Sequence, residues 1–180
     1  MVEYRGYGDS DDVKPTEKGL KLDAEAALKF IQSHPEVDPE RVFCFGRSLG
    51  GAVAFHLSEY AQHYKLPLPG LLVENTFLSI SKMVDQLMPL IAPLKFLVLR
   101  IHWNSEVIAP VNKLPVLYLA GDRDELVPHS HMRELYDLSS KSSSYAKIHV
   151  IRRATHNDSW IKGGRLYFEP MKTFFTCAFE

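Results

Sequence analysis

The 180-residue sequence predicts a single α/β domain, residues 1–180, built on a doubly wound and mainly parallel β-sheet. Two observations lead to this prediction. Short, continuously apolar stretches recur along the chain, as expected for strands that are buried on both faces, and helical patterns separate them. The composition, 46% hydrophobic and 24% charged, is that of a globular protein long enough to bury a sizeable core.

The first predicted elements are a helix and a strand. Residues 16–33 carry apolar side chains at the spacing of one helical face, Thr16 can cap the start, and Pro35 marks the end. The turn sequence VDPE at 37–40 follows. The apolar run RVFCF at 41–45 then predicts a short strand that is apolar on both faces.

The same pattern repeats along the rest of the chain. Further strands are predicted at GLLVENT (70–76), LPVLYLA (114–120) and AKIHVIR (146–152), and further helices at 49–63, 129–140 and 165–179. Residues 77–112 fall outside this order. We call them the inserted segment and predict that they are helical and strongly apolar.

Charge and cysteine content exclude several classes of protein. With 21 basic and 22 acidic residues and no basic stripe, the sequence predicts no nucleic-acid partner. Two cysteines make neither a disulfide framework nor a zinc site. The amino terminus lacks the pattern of a signal peptide, and the most apolar run, 87–99, is too short to span a bilayer. The expectation is a soluble chain of unassigned compartment.

Ser48 is the residue that most needs a chemical explanation. Residues 46–50, GRSLG, match G-x-S-x-G and fall between a predicted strand and a predicted helix. A sharp turn there strains the backbone and exposes the hydroxyl, while the amide of Leu49 can stabilise an oxyanion at the helix amino end. The alternative is that Ser48 only caps the helix.

A nucleophilic serine needs a base and an orienting acid, expected in loops that follow later strands. The strand 114–120 leads into Asp122 and Asp124, and the strand 146–152 leads into His156. Of the eight histidines, His156 alone has the right placement. His149 lies in a predicted strand, and His56, His63, His129 and His131 lie in predicted helices. Periodicity does not choose between the two aspartates.

Five stretches resemble a known family. They are YRGYGDS (4–10), GRSLGG (46–51), LVENTF (72–77), GDRDELVP (121–128) and THND (155–158). Together they are similar to the α/β-hydrolase superfamily, in the branch of the Bem-type hydrolases and the protein depalmitoylases. The likeness covers essentially the whole chain.

The resemblance implies an activity and a set of site residues. The family's acid closes a G-x-x-D turn, which falls on Asp124 and leaves Asp122 as the second choice. The implied triad is Ser48, Asp124 and His156, with the Leu49 amide in the oxyanion hole. The expected substrates are acyl esters or thioesters, palmitoyl-protein among them, with no metal or organic cofactor.

The sequence also departs from the family. There, YRGYG follows an earlier strand ending in a His-Gly loop that supplies the second oxyanion amide, whereas here it begins at residue 4 and no His-Gly pair occurs. We therefore expect the family's first strands, its first helix and half the oxyanion hole to lie outside this chain, as would the amino-terminal membrane anchor that members often carry. The strand before Ser48 should have an open, apolar edge.

The inserted segment corresponds to the family's lid. Its apolar side chains, which include Met83, Met88, Phe96 and Trp103, are expected to line an acyl-chain groove, or else to form core or a membrane-contacting face. Membrane association is thus expected through this lid or through the anchor region. The alternative function is a non-catalytic binding or regulatory module.

Overall fold

The computed structural model describes residues 1–88, 99 and 101–179. Its strands are β1 (Cys44–Arg47), β2 (Leu71–Glu74), β3 (Val116–Gly121) and β4 (Ala146–Ile151). Its helices in the described ranges are α1 (Glu17–Ser33), α2 (Leu49–Tyr64), α3 (Ile80–Leu87), α4 (Ser105–Ile108), α5 (His129–Ser139), α6 (Ser159–Gly163) and α7 (Arg165–Cys177). Short 3₁₀ turns lie at Pro39–Arg41 and Ala109–Val111.

The four strands form one parallel sheet in the order β1-β2-β3-β4. The first two strands pair from Cys44↔Leu71 to Arg47↔Glu74, and the last two pair over six residues. Since all strands run the same way, their carboxyl ends meet at one edge of the sheet, where an open α/β fold places its site. The predicted fold class is confirmed.

Helices cover both faces of the sheet. Alternate residues of the two central strands point in opposite directions, so Val73 and Tyr118 face a core shared with α1, α2 and α5, while Leu72 and Leu117 face α7. Both central strands are buried along their whole length. This explains why their sequences are continuously apolar rather than alternating.

The first helix begins and ends close to the prediction. The Thr16 hydroxyl accepts a hydrogen bond from the amide of Gly19 at 3.1 Å, which satisfies a free amide of the first turn. The side chain of Arg5 binds Asp23 of α1 at 2.6 Å, and this ion pair fixes the amino-terminal segment on the helix.

The strand predicted at 41–45 begins later than expected. Residues Pro39–Arg41 form a 3₁₀ turn capped by Asp38, whose carboxylate accepts from the amide of Glu40. Strand pairing starts only at Cys44, opposite the first residue of β2. The apolar pattern therefore located the strand, but the pairing with β2 sets its limits.

Among the described residues, β1 has a strand neighbour only on the side of β2. Phe45 of this strand is 49% exposed, and a groove of about 530 Å³ lies between β1 and α1, lined by Leu28, Ile31 and Phe45 among others. The apolar open edge expected from the sequence is present in the described part of the chain.

The inserted segment contributes helices α3 and α4 within the described ranges. Trp103 is 3% exposed and belongs to the main core, so it does not line a groove; Met83 packs against that core, whereas Met88 is exposed. The prediction for Phe96 lies outside the described residues. The Glu17 carboxylate accepts from the amides of His102 and Trp103 and thereby ties the end of the segment to α1.

Candidate active site

Ser48 occupies a strained turn between β1 and α2. Its φ of 53° and ψ of −120° lie in a region that non-glycine residues rarely adopt. Gly46 makes the turn sterically feasible, because a Cβ at this position would overlap the carbonyl oxygen of Gly50. The Ser48 side chain caps no amide of α2, all of whose residues the structure describes. Helix capping therefore does not explain this serine.

The loop after β2 holds the Ser48 turn through backbone and side-chain bonds. The Ser48 amide donates to the carbonyl oxygen of Glu74 at 2.9 Å, and the Thr76 hydroxyl donates to the carbonyl oxygen of Ser48 at 2.7 Å. The strained conformation is thus fixed from the neighbouring strand.

Leu49 is the first residue of α2, so its amide has no acceptor within the helix. Amides at this position carry the positive end of the helix dipole. The Leu49 amide is therefore suited to stabilise an anion that forms beside Ser48.

His156 and Asp124 form a buried pair. His156 Nδ1 lies 2.8 Å from Asp124 Oδ2, and the two side chains are 6% and 2% exposed. The other oxygen, Asp124 Oδ1, accepts from the amides of Leu126 and Val127 at 2.9 and 2.8 Å. With both oxygens engaged, the carboxylate is fixed and places the imidazole proton on Nδ1, which leaves Nε2 as the basic nitrogen.

The second aspartate has a different partner. Asp122 Oδ1 accepts from the backbone amide of Arg153, and Glu125 accepts from the backbone amide of His156 at 3.1 Å. Both contacts join the loop after β3 to the loop after β4. The structure thus places Asp124, and not Asp122, against the imidazole of His156.

Further polar and charged side chains, both buried and exposed, lie next to the carboxyl edge of the sheet. The hydroxyl of Tyr167 on α7 donates to Glu74 Oε2 at 2.7 Å, and burial together with the neighbouring carboxylate raises the pKa of Tyr167. The guanidinium of Arg47 lies 5.5 Å from the ring centre of Trp160 on α6. These contacts connect the ends of β1 and β2 to the helices after His156.

Sequence reasoning missed two features of the site. Helix α6 is only five residues long and gives no periodic signal, so the sequence pattern predicts no element at Ser159–Gly163. Asn75 is buried and bonds to the loops after β3 and β4, over 46 to 84 positions along the chain. Its signals in the sequence were its place at the end of an apolar strand and within the family-like stretch LVENTF (72–77), and neither indicated these contacts.

The described ranges contain no cluster of three or more His, Cys, Asp or Glu side chains arranged to hold a metal ion. Nor, within those same ranges, is there a helix whose length and apolar character would let it cross a bilayer.

Comparison with known proteins supports the family resemblance. Residues 5–85 match the family model of acetyl xylan esterase (AXE1). The chain is 35% identical over 175 residues to the protein Bem46 of Schizosaccharomyces pombe, covering 97% of this chain and 56% of that protein. It is 35% identical over 186 residues to the α/β-hydrolase domain-containing protein WAV2 of Arabidopsis thaliana, covering 97% of this chain and 59% of that protein. The chain thus spans less than two thirds of these relatives.

A solved structure shows the same fold. The Pyrococcus furiosus esterase Pf2001 superposes with a TM-score of 0.75 at 18% identity, covering 97% of this chain and 68% of that one. The fold, the turn at Ser48 and these relatives lead to one assignment: the chain belongs to the α/β-hydrolase superfamily.

Proposed function

We propose that this chain carries the catalytic residues of a serine hydrolase that cleaves carboxylic esters. Ser48 is the nucleophile, His156 is the general base and acid, and Asp124 orients the imidazole. The observation that carries the proposal is the buried 2.8 Å contact between His156 Nδ1 and Asp124 Oδ2, at the sheet edge where the strained turn presents Ser48.

The reaction proceeds in two halves. Ser48 Oγ attacks the substrate carbonyl carbon while its proton passes to His156 Nε2, and that proton then goes to the leaving oxygen or sulfur as the bond to the carbonyl breaks. Water, deprotonated by the same nitrogen, attacks the acyl-serine, and the proton returns to Ser48 as the acid product leaves. Asp124 keeps its negative charge throughout and stabilises the imidazolium.

The oxyanion that forms in each half faces the amide of Leu49 in this scheme. One oxyanion donor is typically worth about 100-fold to 1000-fold in turnover, so the Leu49 amide is expected to contribute substantially to the rate.

The substrate class we propose is acyl esters, extending to acyl thioesters such as palmitoyl-protein. The match to the acetyl xylan esterase model and the likeness to a solved esterase favour oxygen esters. Leu87 and Met88, at the end of α3 in the inserted segment, are 51% and 54% exposed, and we propose that they contact longer acyl chains. The resemblance to depalmitoylases also favours long acyl chains.

Steady-state hydrolysis by the 180-residue chain tests the proposal. The substrates are p-nitrophenyl acetate, butyrate and octanoate and an S-palmitoyl peptide, and the variants are Ser48→Ala and His156→Ala. Ser33→Ala, at the exposed end of α1, is the matched control. We expect hydrolysis that both site variants abolish and the control preserves. Equal rates for the wild type and both site variants would contradict the proposal.

A non-catalytic binding module is the second candidate, favoured by the open edge of β1 in the described part of the chain. Under this alternative, the folded wild-type chain hydrolyses none of the four substrates faster than the Ser48→Ala and His156→Ala variants do.

A further inference from the structure

Asn75 lies where the three loops of the proposed site come together. It follows β2 directly, is 1% exposed, and has a φ of 44°, in the left-handed region that asparagine tolerates better than most residues. Its two neighbours hold the nucleophile turn, since Glu74 accepts from the Ser48 amide and Thr76 donates to the Ser48 carbonyl oxygen.

The Asn75 side chain binds the loops that carry the other two members of the proposed triad. Its Oδ1 accepts from the amide of Gly121, the last residue of β3 before the acid loop, at 2.8 Å. Its Nδ2 lies 3.2 and 3.1 Å from the carbonyl oxygens of Thr155 and His156 and 3.2 Å from Ser159 Oγ. Both protons of the amide and its oxygen are therefore engaged, the two protons being shared among three acceptors.

The two loops bridged by this amide are packed against each other through their backbones. A Cβ at Gly121 would lie 2.6 Å from the carbonyl oxygen of Ala154, so no side chain separates the acid loop from the histidine loop. The Asn75 amide acts together with direct bonds between the loops, in which the amides of Arg123, Arg153 and His156 donate to Ala154 O, Asp122 and Glu125. Loss of the Asn75 amide would leave the Gly121 amide and two carbonyl oxygens buried without this partner.

We infer that Asn75 is a positioning residue that sets the His156 imidazole against Asp124 and toward Ser48. The expected effect on catalysis rests on the proposed function, whereas the effect on the position of the His156 imidazole does not. A displacement of about 1 Å in a reacting group can lower a rate about 100-fold, so loss of this amide is expected to lower kcat while the substrate-binding surface, and hence KM, changes little.

Two variants of Asn75 distinguish the contribution of its side-chain amide from that of its left-handed backbone conformation. Asn75→Gly removes the amide and relieves the left-handed strain at the same time. Asn75→Asp keeps the shape and the acceptor for Gly121 but replaces the donor by a carboxylate that faces carbonyl oxygens. Asn112→Asp is the matched control, because Asn112 is equally buried and donates to Leu114 O at 2.9 Å, away from the site.

The test combines proton NMR with kinetics at a temperature where each variant is folded. The wild-type chain should show a far-downfield resonance from the His156 Nδ1 proton, identified by its loss in His156→Ala. We expect Asn75→Gly and Asn75→Asp to lose or shift this resonance and to lower kcat on p-nitrophenyl butyrate about 100-fold. Asn112→Asp should lower the melting temperature without either effect.

The outcomes distinguish this inference from the proposed function. A wild-type chain that shows the resonance but no hydrolysis refutes the proposed function and leaves the NMR comparison as the test of positioning. An unchanged resonance and kcat in both Asn75 variants would overturn the inference, and so would a wild type without the resonance. Loss of cooperative unfolding in both variants would also overturn it, because Asn75 would then be required for folding rather than for positioning.

Discussion

The two sides of the proposed site are supported very differently. Asp124 and His156 follow β3 and β4, which pair over six residues, and every residue of β3 is buried. Ser48 follows β1, a four-residue strand whose other edge has no strand partner among the described residues and whose Phe45 is 49% exposed. Asp124 therefore follows an interior strand and His156 follows the opposite edge strand of the described sheet, β4, which is paired with β3 over six residues. The nucleophile turn depends on a shorter edge strand and on its bonds to the end of β2 and the loop after it.

The largest expected effect on catalysis comes from the acid that follows β3. Asp124→Asn preserves the shape of the side chain but removes the charge that fixes the imidazole tautomer, so we expect kcat on p-nitrophenyl butyrate to fall by about 10⁴-fold. Asp122→Asn, in the same loop, should lower kcat by less than about tenfold. A greater loss with Asp122→Asn would reverse the assignment of the acid.

Stability measurements compare β3, in the interior of the sheet, with β1, at its edge. Leu117→Ala removes a fully buried side chain at the centre of the sheet and should cost about 2–5 kcal/mol of unfolding free energy. Phe45→Ala removes a half-exposed side chain at the edge and should cost about 1 kcal/mol or less. Urea unfolding measures both. Equal costs would show that the edge of β1 is covered in solution and that the contrast between the two sides is wrong.

A smaller effect is expected where α5, the helix that follows β3, contacts the inserted segment. His131 on α5 accepts from the Leu78 amide through Nδ1 and lies 2.7 Å from Gln86 Oε1 through Nε2, which requires the neutral imidazole. Burial lowers the pKa of His131, with Lys82 adding to this effect and Glu134 and Glu106 opposing it.

The sign of the pH effect follows from this lowered pKa. Below the ordinary histidine pKa of about 6.5, the unfolded chain binds a proton at His131 more readily than the folded chain does, so the stability falls as the pH is lowered through this window. His131→Asn keeps an acceptor but cannot titrate. We expect its unfolding free energy to vary less between pH 7.5 and pH 5 than that of the wild type. A steeper dependence in the variant would refute this account.

The sequence predicted those features that depend on local pattern. Continuous apolar runs located β2 and β3 because both faces of these strands are covered, and the order of the strands placed the loops of Asp124 and His156 at the edge that carries Ser48. The limits of β1 could not be predicted, because they depend on its pairing with β2.

Long-range contacts account for what the sequence could not show. The bonds of Asn75 join residues up to 84 positions apart, and no local pattern reports them. Trp103 packs in the core, and its neighbours come from a distant part of the chain: Glu17, 86 positions earlier, accepts from its amide, and Lys21 lies 5.2 Å from its ring centre. Periodicity likewise left both Asp122 and Asp124 open; the family resemblance favoured Asp124, which the structure places 2.8 Å from His156 Nδ1.

The most direct test of the proposed nucleophile is labelling with a fluorophosphonate probe, followed by mass-spectrometric mapping of the modified residue. The probe reacts with serines that are activated by a base, and it requires no particular acyl chain. We predict a single adduct on Ser48 of the 180-residue chain, lost in Ser48→Ala and in His156→Ala and retained in Ser33→Ala. Folded wild-type protein that remains unlabelled, or an adduct that persists in His156→Ala, would contradict the assignment of Ser48 as a nucleophile activated by His156.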